Sequence, residues 1–322
     1  MLSDLVRFYN QLCELTATTA KQSTDIELQK ITQVAQNYPE LETVRQSVLD
    51  SFDRFETEFD QIKTQIHDQI KKEEQPYLQN SYKHYEEFRS YRYSWYQYRD
   101  PSEYVENVLN SRLPVLDQSC ELIRNRIMRY SGWKNTTMIL RPGVESWIQS
   151  MVSNDPLYLV DENYDLLTPA VLQFNETYQR RLRLYAIRED LDIDQDILWQ
   201  LPDNQFGLIL AWNYFNHRPF EIIRRYLTEF YKKLHPGGIL LMTYNDCNRW
   251  QGVKSAEAKT GLYTPGSLIQ DFAYSLGFEQ IYRYHDHGPW TWIEFRKPGE
   301  WESLRGGQPL AKILPKPVAK SK

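Results

Sequence analysis

The sequence predicts an α/β protein: a parallel sheet of βαβ units in the second half of the chain, preceded by an α-helical region. Three observations carry this. The stretch from Gln205 to Asp246 reads as one complete unit, with an apolar run (Phe206 to Trp212), a polar corner (Asn213 to Pro219), a helical segment, and a second apolar run (Ile239 to Thr243). Its helical segment places Phe220, Ile222, Ile223, Tyr226, Leu227, Phe230, Tyr231 and Leu234 on one stripe, and Pro236-Gly237-Gly238 ends it. Parallel strands need such a crossover helix. Short apolar runs alternate with helical stretches on both sides of this unit. Residues 1 to about 75, by contrast, contain one proline, Pro39, and apolar residues three and four apart.

Taken in order, Leu5, Phe8, Leu12 and Leu15 open the helical region. After Pro39 the series Leu41, Val44, Val48, Phe52, Phe55, Phe59, Ile62, Ile66, Ile70 predicts an amphipathic helix of about thirty residues, close to a coiled-coil seam. Two readings stay open for it: pairing with another chain or protein partner, or an intramolecular hairpin folded across Pro39. Residues 76–100 interleave aromatics with Lys83, Arg89, Arg92 and Arg99, and the run Tyr91 to Tyr98 fits a strand or a helix. Rings alternating with cations are used to bind single-stranded nucleic acid; the stretch also reads as a helix packed between two layers or as an adhesive interface.

Asp100-Pro101 starts a further helix, and Val115 to Tyr130 carries another. Strands are then expected at 136–140, 157–160, 182–187, 206–212, 239–243, 280–284 and 291–295, with helices at 144–152, 166–178, 220–234 and 264–276 and a loop at 247–263. From Lys297 the chain is a tail rich in proline, glycine and lysine. The expected organisation is a helical, Tyr-rich interaction domain at 1–115, an α/β domain at 116–297 and a basic tail at 298–322.

Composition narrows the function. The chain has 322 residues, a net charge of −5 and a pI near 5.8, which argues against a general nucleic-acid binder. No apolar run reaches membrane-spanning length, and the N-terminus lacks a signal-peptide pattern. Cys13, Cys120 and Cys247 form neither a disulfide framework nor a metal cluster, which fits a reducing, cytoplasmic setting. His285-Asp286-His287 reads as a polar hairpin turn, with no third metal ligand at a suitable spacing.

The segments FGLILAWN and LHPGGILLMTYN resemble the later half of the class I S-adenosylmethionine-dependent methyltransferase domain, over about residues 115–297. The resemblance implies a seven-stranded, Rossmann-like sheet closed by a β–β pair, and S-adenosylmethionine as cofactor. The runs DPLYLVDENYDLL, YQRRLRLYAIRED and LPDNQFG also resemble methyltransferase-like proteins of tailed phages of cyanobacteria, which implies a host-cytoplasmic or virion setting.

In such a sheet the ligand lies outside the carboxyl ends of the strands. The family places an acidic residue at the end of the second strand for the ribose hydroxyls, which falls on Asp161 or its neighbour Glu162. Arg188-Glu189-Asp190 follows the third strand at the same edge, with Asp190 a further candidate for binding the cofactor. The glycine loop after the first strand keeps only Gly143, with Arg141 and Glu145 at the positions of the outer glycines. Arg141 either pairs with the methionine carboxylate or closes the pocket. At the end of the fourth strand Asn213-Tyr214-Phe215-Asn216 matches the type of an (Asn/Asp)-Pro-Pro-aromatic turn without its prolines, and Tyr214 and His217 are candidates to line an acceptor site, with His217 as a base. The competing expectation is a methyltransferase-like scaffold without turnover, working through its N-terminal helices.

Overall fold

The computed structural model describes residues 2–19, 29–30, 32–33, 42–97, 118–133, 135–142, 151–164, 167–172, 174–189, 196–285 and 288–301. Among the described residues the helices given a range before the sheet are α1 (Leu2–Thr19), α2 (Glu42–Gln97) and α3 (Gln118–Tyr130). The sheet strands are β1 (Thr137–Leu140), β2 (Leu157–Asp161), β3 (Arg183–Ala186), β4 (Phe206–Ala211), β5 (Leu234–Asn245), β6 (Glu279–His285) and β7 (Trp290–Arg296). Between them lie α4 (Leu167–Leu172), α5 (Glu176–Gln179), α6 (Phe220–Lys233), α7 (Trp250–Glu257) and α8 (Gly266–Ser275). Among the described residues no helix is long and apolar enough to cross a membrane.

The strand order is β3-β2-β1-β4-β5-β7-β6. The first five strands are parallel and β7 runs antiparallel to both β5 and β6. This is the doubly wound arrangement, with the order reversing between β1 and β4. It is the seven-stranded sheet with a closing β–β pair that the sequence led us to expect. β1, β2 and β4 are buried at every position, as strands covered on both faces must be. One core layer contains Met138, Leu140, Phe206, Ile209, Tyr226 and Phe230. The other contains Ile127, Ile139, Leu159, Leu208, Leu241 and Trp292.

Four elements differ from the sequence expectation. α2 is a single helix of 56 residues that runs through Pro76 and absorbs the ambiguous run after Tyr91. Proline removes the main-chain donor to the Lys72 carbonyl, and one turn on the side chain of Asn80 donates to the Pro76 carbonyl at 2.7 Å. Tertiary contacts hold the helix there: Ile70, Glu74, Ser81 and Tyr85, spaced four, seven and four apart, are all buried. The first half of α2 instead leaves Val44, Phe55 and Ile62 exposed.

The single helix expected at 166–178 is two, because the Asn175 side chain accepts from the Tyr178 amide at 2.9 Å and starts a new one. β5 begins before the Pro-Gly-Gly break rather than after it. Its register slips between Phe206 and Leu208, and Gly237, at φ +80, supplies the left-handed backbone for the bulge. The expected loop at 247–263 contains α7.

Two anchors tie the outer helices to the sheet domain. Ser3 of α1 donates to Glu257 of α7 through its amide (3.3 Å) and its hydroxyl (2.7 Å), beside an apolar cluster of Leu2, Val6, Ile70, Val253 and Tyr263. On the other face Arg126 of α3 and the Tyr130 hydroxyl both donate to Glu294, which is fully buried on β7. Trp301 stacks on His235 with centroids 5.0 Å apart, packing the start of the tail on the domain. The expected helices at 101–113 and most of 144–152, and the tail beyond 301, lie outside the described residues.

Candidate functional site

The site follows from where the central strands end. β1 ends at Leu140, and the Arg141 amide donates to the Val160 carbonyl at 2.7 Å, which extends the β1–β2 ladder by one residue and sets Arg141 beside Asp161. β4 ends at Ala211, and two residues later the Asn213 amide donates to Thr243 Oγ1 of β5 at 2.8 Å. Both Arg141 (φ 49) and Asn213 (φ 50) adopt left-handed backbone, which costs a non-glycine residue roughly 1–2 kcal/mol. Such conformations gather at functional sites. Arg141 Nη1 reaches the Asn213 carbonyl at 3.5 Å, and its guanidinium lies 5.5 Å from the Tyr214 ring. Its Nε and Nη2 are buried and have no hydrogen-bond partner among the described residues. Asp161 is buried, and its Oδ1 accepts from the Asn163 amide at 3.1 Å.

Beside this edge lies a buried charge network. Glu189, just past β3, is fully buried and accepts from Arg218 Nε (2.8 Å), Tyr85 (2.5 Å), Tyr226 (2.5 Å) and Tyr214. Arg218 also pairs with Glu162, as does Arg89 of α2 at 3.6 Å. The Arg218 guanidinium lies 3.5 Å from the Tyr214 ring centroid, and its Nη1 donates to the Tyr214 carbonyl at 2.6 Å. Burial alone pushes the Glu189 carboxyl up, but Arg218 and the tyrosine hydroxyls more than offset it and hold it down to about 2. Burial pushes the Tyr214 and Tyr226 hydroxyls well above the usual phenol range; Glu189 adds to this at both, while at Tyr214 the Arg218 charge opposes it more strongly than Glu189 adds. Burial opposes the charge on Arg218, yet Glu189, Tyr214 and Glu162 hold it cationic.

These contacts sort the residues singled out from sequence. Arg141, Asp161 and Asn213 gather at the switch point. Glu162 faces Arg218 rather than the cleft, so it is engaged in the network and not placed as a ribose partner. Tyr214 is fully buried with its hydroxyl on Glu189, which removes it from direct contact with an acceptor and makes it a packing and positioning residue. His217 ends a short 3₁₀ turn (Phe215–His217) and lines a cavity beside α2. Gly143, Glu145 and Asp190 lie outside the described residues, as do Asp286 and His287. Among the described residues no cluster of His, Cys, Asp or Glu is suited to hold a metal ion.

Sequence reading missed Glu189, Arg218, Tyr226 and Tyr85 as a unit. They come from the β3 end, the β4 corner, α6 and α2, and no spacing along the chain links them. The one local signal is Tyr214, Arg218 and Tyr226 at intervals of four and eight, which looks like ordinary helical amphipathicity.

No protein-family model and no curated protein sequence matches the chain. Among solved structures it is similar to the N-methyltransferase NodS from Bradyrhizobium japonicum WM9 in complex with S-adenosyl-L-homocysteine, at 12% identity and TM-score 0.43, over 62% of this chain and 100% of that one. It is also similar to an S-adenosylmethionine dependent methyltransferase from Mesorhizobium loti (12% identity, TM-score 0.42, 54% of this chain and 96% of that one). A third is the PH0226 protein from Pyrococcus horikoshii OT3 (13% identity, TM-score 0.43, 58% and 94%). The fold assignment rests on the strand order and the reversed β7.

Proposed function

We propose that the chain is an S-adenosylmethionine-dependent methyltransferase whose cofactor site lies at the β1–β4 switch point. The observation that carries the reading is Arg141, with two buried guanidinium nitrogens unpartnered among the described residues, at the strand end next to that of the buried Asp161. A guanidinium edge with open donors suits a carboxylate such as that of the methionine moiety. A carboxylate at the end of β2 suits a pair of ribose hydroxyls. The residues present therefore fit the cofactor, with Arg141 standing in for the loop glycines. When bound, S-adenosylmethionine supplies an electrophilic methyl group. The chain's own part is to orient it through Arg141 and Asp161, to present the Asn213 corner towards an acceptor, and to hold that corner rigid through Arg218, Tyr214 and Glu189.

Calorimetric titration of the full-length protein with S-adenosylmethionine and with S-adenosylhomocysteine tests this. Saturable heat that weakens in Asp161→Ala supports the reading, and no heat at millimolar ligand removes it.

One observation favours a second reading, a scaffold without turnover. Arg218 and α2 residues Tyr85 and Arg89 bring dense, buried pairing to the carboxyl edge of β2 and β3. On that reading the edge serves as the seat for α2, and the titration stays flat.

A further inference from the structure

We infer that the cavity between α2 and the loops that follow β4 and α7 is a binding site for a neutral single-ring phenol. Helix α2 is pinned on either side of it. The Tyr263 hydroxyl donates to Glu74 Oε2 at 3.0 Å, and the Tyr85 hydroxyl donates to Glu189 at 2.5 Å. Along this part of α2, Tyr77, His84 and Glu87 line one side of the cavity, at spacings of seven and three. Facing them are His217 from the β4 corner and Lys259 and Leu262 from the loop after α7. Together they line a partly open cleft of about 170 Å³.

Volume sets the ligand's size. An apolar cavity on the order of 150 Å³ holds one benzene ring, so this cleft accommodates a single ring. Leu262 and the Tyr77 ring, which packs 5.3 Å from Tyr263, give the apolar walls a planar ring needs. Charge sets its polarity. The rim carries one anion, Glu87, and one cation, Lys259, both exposed, so neither sign is favoured and the ligand is neutral. Two imidazoles, from different elements, line the same void. A neutral imidazole offers one donor and one acceptor nitrogen, which is the complement of a hydroxyl. A ring bearing a hydroxyl meets all three conditions.

That this site is the methyl acceptor's rests on the function proposed above; that it binds a phenol does not. His217 is four residues beyond Asn213, so on that reading the ring sits next to the switch point. The phenolic proton passes to an imidazole nitrogen, the oxygen bonds to the methyl carbon of the sulfonium donor, and the sulfur keeps the electron pair of the broken C–S bond.

The test is calorimetric titration of the full-length protein with p-cresol, toluene and cyclohexanol, each with and without S-adenosylhomocysteine. The expected result is saturable p-cresol binding, with toluene and cyclohexanol about tenfold weaker or more. Ala256→Trp, which fills the cavity from α7, is expected to abolish p-cresol binding and leave S-adenosylhomocysteine binding and the melting temperature intact. His84→Gln and His217→Gln are each expected to weaken p-cresol about three- to tenfold, and toluene not at all. Toluene binding as tightly as p-cresol, no saturable p-cresol heat, or undiminished binding in Ala256→Trp each overturns the inference. p-Cresol binding without S-adenosylhomocysteine binding keeps the phenol site and sinks the methyltransferase reading; the reverse pattern does the opposite.

Discussion

Arg141 and Asn213 face each other across the switch point of the sheet, 3.5 Å apart from guanidinium to carbonyl, and both hold left-handed backbone. Neither residue is a glycine, so the strain is kept where the side chain is wanted. Arg141→Gly should therefore separate function from stability. The backbone is relieved of roughly 1–2 kcal/mol of strain while the unfolded chain gains flexibility, so the net stability change stays within about 1 kcal/mol. S-Adenosylhomocysteine affinity should fall by about 1.5–3 kcal/mol through the lost charged hydrogen bonds. Urea unfolding read alongside calorimetry checks both halves.

Asp161 and Glu162 are neighbours with opposite assignments. Asp161→Ala is expected to cost about 1–3 kcal/mol in cofactor affinity. Glu162→Gln should act mainly on stability, because it removes one of two carboxylate partners of the buried Arg218. Finding the larger affinity loss in Glu162→Gln would reverse the two roles.

The Glu189 network predicts an acid limit. Its carboxyl, ordinarily near 4.5, is held down to about 2 in the folded protein. A depressed folded value means that the stabilisation is complete above about 4.5 and is lost as the pH falls from there towards 2. Glu189→Gln should flatten this part of the stability profile. At neutral pH it should cost about 3–5 kcal/mol, since Arg218 is then left buried and under-compensated. Chemical denaturation at pH 7, 5 and 3 for the two proteins gives the comparison.

Tyr85→Phe deletes one hydroxyl and keeps the ring in the core. A loss of about 1–2 kcal/mol is expected, reflecting a hydrogen bond to a buried charge. Amide exchange should quicken along α2 between residues 78 and 89 and stay unchanged in β1 and β4. Uniform acceleration across the sheet would show that Tyr85 is not a local pin.

Gly252 of α7 lies against the main chain of Asp246, and a methyl group at this position would overlap the Asp246 carbonyl oxygen. Backbone cannot swing aside as a side chain can. Gly252→Ala is thus expected to destabilise by about 1–3 kcal/mol despite its better helix propensity, measured as a lower denaturation midpoint.

The sheet was legible because its strands are buried on both faces and so read as unbroken apolar runs, with Pro236-Gly237-Gly238 marking a boundary. The strand starting at Leu234 and running through that boundary was not, since a bulge is set by the partner strand and not by local preference. Pro76 concealed the continuity of α2 for a similar reason: a local helix breaker is overridden by the buried contacts of Ile70, Ser81 and Tyr85. Asp161 could be picked out at its strand end, where acidic residues are easily placed. Glu189 sits in the plain polar run Arg188-Glu189-Asp190, and only the fold brings Tyr85 and Arg218 to it.

The contact between Ser3 and Glu257 spans 254 positions of the chain. During synthesis α1 leaves the ribosome long before α7 exists, and at typical elongation rates of about 5–20 residues per second it waits roughly 13–50 s for its partner. Throughout that interval Leu2 and Val6 can meet Ile70 of α2 but not Val253 or Tyr263, the rest of the cluster that buries them. A helix made well before α7 is thus among the later ones to reach its full native packing, and a nascent chain halted before residue 257 leaves this amphipathic helix partly open to chaperones.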